Sequence, residues 1–132
     1  MTIENEDPEI LAVKDEETQR PIPSAWRPVI RQIADAFANG DYGLSVPIAG
    51  VEPISLEDAE RIKDYIEDYG ETLTALSDET WDSSVCIWMG KRWEALVDLW
   101  TLSEGRSDLV LSLRVSEVED GFAFHVHMVY VP

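Results

Sequence analysis

The chain has 132 residues, with ten Lys and Arg against 27 Asp and Glu and a formal net charge of −17. Phosphate recognition rests on neutralising Lys and Arg side chains, so this balance argues against a nucleic-acid or anionic-membrane partner and favours a basic protein partner or plain solubility. The single cysteine, Cys86, excludes an internal disulfide, and no run reaches the roughly 18 apolar residues of a membrane span; a soluble, cytoplasmic chain is expected.

Residues 1–22 carry seven acids against Lys14 and Arg20 and have no sustained hydrophobic period. They read as an acidic mobile arm, in which only Ile10 to Val13 could dock, and truncation before Pro21 is expected to leave the fold intact. Residues 23–132 read as one α+β domain, a length that buries roughly two-thirds of its unfolded surface.

Ser24 is placed to cap a first helix whose apolar face is Trp26, Val29, Ile30, Ile33 and Phe37, with Pro28 in or beside the first turn and Asn39-Gly40 as the stop. A second helix opens on Ser55, with Asp58 three residues on, and runs through Ala59, Ile62, Ile66 and Tyr69 to Gly70. Its other side is acidic. Glu57, Glu60, Asp64, Glu67, Asp68 and Glu71 fall on one face, and Arg61 and Lys63 are too few to neutralise them.

From Ser84 the period changes to two, and three turn signals divide the remainder into four strands. The expected fold is therefore two N-terminal amphipathic helices on one face of a C-terminal four-stranded antiparallel meander. Gly90-Lys91 would set Trp88 opposite Trp93. Asp120-Gly121, read as a two-residue loop, would pair Glu119 with Phe122, Val115 with Val126, Leu113 with Met128 and Leu111 with Tyr130. The helix-covered face would then carry Trp93, Val97, Leu99, Leu109, Leu111, Leu113, Val115, Phe124, Val126 and Met128.

The opposite face would hold His125 and His127, with Arg114 and Ser116 across from them and Glu94 and Asp98 on the preceding strand. A His-x-His pair on a strand can bind a metal, but Arg114 among these groups opposes a cation, so no metal site is expected. The same face carries Val85, Ile87, Met89, Leu96, Trp100, Val129 and Val131, which the arm, a second copy in a homodimer, or a partner could cover. Trp26 and Trp93 suit the core, whereas Trp81 and Trp100 suit an interface. The turn from Glu104 to Asp108 reads as a structural one closed by an internal ion pair. No phosphate-binding loop, dinucleotide fingerprint, HExxH or nucleophile elbow is present, and no cofactor is implied.

The run Val97-Asp98-Leu99-Trp100-Thr101 with Glu104-Gly105-Arg106-Ser107-Asp108-Leu109 resembles the signature of an uncharacterised family of small bacterial domains, from Pro23 onward. The segment Ala36 to Tyr42 is similar to the opening of nuclear-transport-factor-2-like, cystatin-type domains, which pack helices into a curved antiparallel sheet. That second resemblance implies a domain binding or turning over a small molecule in a pocket between helices and sheet, although the catalytic His/Asp dyad of some of its members has no counterpart residues here. The leading functional expectation is a non-enzymatic acidic domain that binds a basic protein partner, as immunity proteins and inhibitors do, through Glu57, Glu60, Asp64, Glu67, Asp68 and Glu71 with Trp81 and Trp100.

Overall fold

The computed structural model describes residues 9–132. Its elements are β1 (Arg20–Pro21), a 3-10 turn (Ser24–Trp26), α1 (Arg27–Ala38), α2 (Leu56–Tyr69), β2 (Leu73–Thr74), a second 3-10 turn (Asp78–Asp82), β3 (Val85–Trp88), β4 (Trp93–Thr101), β5 (Gly105–Val118) and β6 (Gly121–Tyr130). The six strands form one antiparallel sheet in the order β1-β3-β4-β5-β6, with β2 also paired to β4.

A four-stranded meander under two helices is thus the wrong architecture. The two extra strands are two residues long, too short to show a period of two, and the chain uses them to complete other strands' ladders. Arg20 and Pro21 extend the sheet beyond β3, opposite Cys86 and Val85. Leu73 and Thr74 pair with Thr101 and Trp100, at the end of β4 that the four-residue β3 does not reach. Between β3 and β2, the backbone of Asp98 is served by side chains: Ser84 Oγ accepts from its N–H (3.0 Å) and Thr80 Oγ1 donates to its carbonyl (2.7 Å). Both hydroxyl residues are buried. Buried backbone groups need partners, and here a 3-10 turn supplies what a strand would otherwise supply.

Helix starts follow local chemistry. Ser55 caps α2 by accepting from Asp58 N–H, and Gly70 ends it in the left-handed region at φ +84°. Ser24 does not cap α1. Its hydroxyl accepts from Ile10 N–H, its own N–H donates to Ile10 carbonyl, and a 3-10 turn leads into a helix that begins at Arg27 with Pro28 in its first turn.

Those bonds join residues 9–22 of the expected arm to the domain. Ile22 is fully buried, Trp93 Nε1 donates to Val13 carbonyl at 2.9 Å, and Lys14 reaches Glu117 of β5 at 2.9 Å. The remainder of the expected arm, residues 1–8, lies outside the described residues.

The core joins Trp26, Ile30, Ile33, Ala34 and Phe37, with Ile62 and Ile66 of α2, to one face of the sheet. Its centre is aromatic. Trp26 meets Trp93 and Phe122 edge-on at 5.5 Å, and Trp88 meets Trp93 at 4.6 Å across the β3–β4 hairpin, the pair that Gly90-Lys91 predicts.

The β5–β6 hairpin departs from its expected register in two steps. Its loop is Glu119-Asp120, with Asp120 at φ +66°, so Glu117 rather than Glu119 faces Phe122; a shift of two keeps every side chain on its face. A bulge then sets His127 between the pairs Leu113–Val126 and Ser112–Met128. One extra residue reverses the facing of the strand beyond it. Val129 is therefore the buried core residue and Met128 lies half-buried on the other face, the reverse of expectation.

Deleting residues 1–18 leaves the buried Trp93 N–H without its acceptor, a loss of about 1–3 kcal/mol. The melting temperature is expected to fall by about 5 °C or more relative to a chain lacking residues 1–8 only. An unchanged transition would show that this segment contributes nothing to stability. Thr80→Val, which keeps the shape and removes the hydroxyl, is expected to lower urea-unfolding stability by about 1–2 kcal/mol, because the Asp98 carbonyl loses its donor.

Candidate functional site

The outward face of α2 is strongly acidic. Glu57, Glu60, Asp64, Glu67 and Asp68 are exposed on α2, while Ile62 and Ile66 face the core; Glu71, expected on the same helix face, is exposed but lies beyond the Gly70 cap, where the helix has ended. Among the described residues the ion pairs on α2 within 4.0 Å lie at the helix start, where Arg61 reaches Asp58 at 3.0 Å and Glu57 at 3.4 Å; mid-helix the exposed Lys63 stands among the acids without such a contact. Among the described residues, Glu60, Asp64, Glu67, Asp68 and Glu71 have no cation within 4.0 Å. The last turn of α2 contains no basic residue. Carboxylates there meet the negative end of the helix dipole, which disfavours them by several tenths of a kcal/mol each.

The two tryptophans grouped with this stripe are placed differently. Trp81 is buried to 9 % exposure, and the guanidinium groups of Arg27 and Arg31 lie over its ring at 5.2 and 5.5 Å. Trp100 is half-buried, with its ring against Gly105, where a Cβ would come within 3.4 Å and where φ is +75°. Both rings thus pack against local structure.

The turn after β4 is held without an ion pair. Tyr69 Oη donates to Glu104 Oε1 (2.8 Å) and accepts from Asp108 N–H (3.0 Å), Thr101 Oγ1 donates to Glu104 Oε1 (3.1 Å), and Ser107 Oγ donates to Leu99 carbonyl (2.8 Å). Thr101, Glu104, Gly105 and Ser107 of the signature run thus each have a structural task within the hairpin, and Glu104 with the Asp108 N–H ties it to Tyr69 of α2.

A second polar constellation occupies the sheet face away from the aromatic core. A cleft of about 240 Å³ is lined by Glu52, Arg92, Arg114, Ser116, Ala123 and His125. Strand pairing builds it: Arg114 stands opposite His125 in β6 and Glu94 in β4, and Ser116 stands opposite Ala123, whose small side chain leaves the space open. The bulge brings His127 Nε2 to 3.4 Å from an Arg114 nitrogen. Burial first, then the Arg114 charge, lowers the pKa of the His127 imidazole and favours its neutral form.

Glu52 enters from the loop before α2. Its N–H donates to Phe124 carbonyl and Phe124 N–H donates to Gly50 carbonyl, a short parallel bridge along the outer edge of β6 that sets Glu52 Oε2 3.0 Å from His125 Nδ1. His125, His127, Arg114, Ser116 and Glu94 are readable from strand parity. Glu52 is not, because its loop has no period, and Arg92 was hidden by its place beside the Gly90-Lys91 turn, although it shares the parity of Glu94.

Among the described residues, no group of three or more His, Cys, Asp or Glu side chains is gathered where one metal ion could be held. Asp98, grouped with the histidines by parity, is turned to Ser83, whose hydroxyl donates to its Oδ2. Burial pushes the Cys86 thiol up to about 11, far from the thiolate that nucleophilic chemistry requires.

No helix among the described residues is long and apolar enough to cross a membrane. No curated protein and no solved structure matches the chain. A family model described as a domain of unknown function (DUF7668) matches residues 34–132, from the middle of α1 to the end of the sheet. By that match across most of its length, the chain belongs to this family of domains of unknown function.

Proposed function

We propose that the chain is a non-enzymatic acidic interaction domain that binds a basic protein partner, in the manner of immunity proteins and inhibitors, through the outward face of α2. The observation that carries this reading is the run of exposed carboxylates Glu60, Asp64, Glu67 and Asp68 on α2, continued by Glu71 past the Gly70 cap, none of which has a cation within 4.0 Å among the described residues. Each like-charge pair three or four residues apart costs a few tenths of a kcal/mol. Glu67 and Asp68 in the last turn also oppose the helix dipole. The isolated fold gains nothing from this arrangement, whereas a cationic surface laid against it would remove both penalties at once.

Complementary charge acts mainly on encounter rate, and the interaction is screened beyond a Debye length of about 8 Å at physiological salt. The protein that co-purifies with the chain from its native cells is therefore expected to associate more slowly as salt rises. Glu60, Asp64 and Glu67 changed together to Lys should abolish that association while leaving the far-ultraviolet dichroism and the melting transition in place. Association indifferent to both salt and the charge reversal overturns the proposal.

A further inference from the structure

In the cleft on the outer sheet face two arginines, Arg92 and Arg114, converge beside a single lining carboxylate, Glu52. Arg92 and Arg114 both line it, yet among the described residues neither guanidinium has a carboxylate within 4.0 Å. Glu94 faces Arg114 across the β4–β5 ladder but stays outside that distance and outside the lining. The single carboxylate of the lining, Glu52, is engaged by His125 Nδ1. That contact leaves the other ring nitrogen of His125 available to a ligand. Arg114 itself is half-buried and touches no acid; its close polar neighbour is His127 Nε2.

We infer that this cleft binds a small dianionic oxyanion, a phosphate or dicarboxylate group on a compact molecule. Guanidinium groups present planar paired donors that match the oxygens of either group, and Ser116 adds a hydroxyl that can rotate to donate. A dianion seated over Ser116 and Ala123 meets Arg92 from the β4 side, Arg114 from β5 and His125 from β6. A cleft of about 240 Å³ admits a group of this size. The overall negative charge does not forbid such a ligand, since exposed charges more than roughly 8 Å away are largely screened at physiological salt. The site is independent of the acidic face of α2, so either proposal can fail without the other.

The test is a titration of the isotope-labelled full chain with inorganic phosphate and, separately, with malonate, followed by amide chemical shifts at constant ionic strength held with chloride. Saturable shifts centred on Ser116, Ala123 and His125 are expected from at least one of the two, with half-saturation near about 1 mM. The two probes identify the source, a response to phosphate alone pointing to a phosphoryl group and one to malonate alone to a dicarboxylate. Arg114→Gln should weaken the response about tenfold. Arg92→Gln, at the exposed end of the hairpin, should do the same and serves where the first substitution disturbs the sheet. Shifts absent with both probes at about 10 mM, or undiminished in the folded Arg92→Gln chain, overturn the inference.

Discussion

The structure depends most on what surrounds the Trp93 indole. Its ring is packed edge-on by Trp26, Trp88 and Phe122, and its N–H donates to Val13. Four segments distant in sequence therefore meet at one side chain: the N-terminal segment, the lead-in to α1, the β3–β4 hairpin and β6. Of the buried indole N–H groups, that of Trp93 is satisfied by a backbone carbonyl of the N-terminal segment, whereas those of Trp26 and Trp100 have no partner among the described residues. Residues 9–22 are tied to the domain through this bond and through the buried Ile22, despite their composition.

The outer face of the sheet is arranged by irregularities of the strands. The bulge at His127 lets one strand present His125 and His127 beside Arg114 and then turn Val129 inward to the core. A regular β6 would carry one alternation from end to end. Either the histidines or the inward valine would then be lost. The loop bridge at Gly50–Glu52 completes the same face by delivering Glu52 to His125. Polar clustering and core packing are thus set by one residue count.

How much was legible in the residues follows from the range of each interaction. The caps of α2, the Trp88–Trp93 pair and the face assignments up to the bulge are local, written within a few residues of where they act. Ser24 was misread as a cap because its true partner, Ile10, is fourteen residues away in a segment with no period. The strands Arg20–Pro21 and Leu73–Thr74 exist only because β3 and β4 have edges to fill. Composition pointed to the acidic stripe directly. The cleft needed Glu52 and Arg92, which are brought together by tertiary pairing rather than by any repeat in the chain.

The covering of β4 bears on how the molecule behaves in a crowded solution. A nine-residue strand next to a four-residue one would ordinarily leave half a row of open amides and carbonyls, a template on which another chain could add a strand and begin fibrous growth. Here that row is divided among β3, the hydroxyls of Thr80 and Ser84, and β2, so no contiguous stretch of it is left for an incoming strand. The helical turn carrying Thr80 thereby acts as a guard against polymerisation, and its loss in a partly unfolded chain would expose the sheet to self-assembly before the aromatic core had opened.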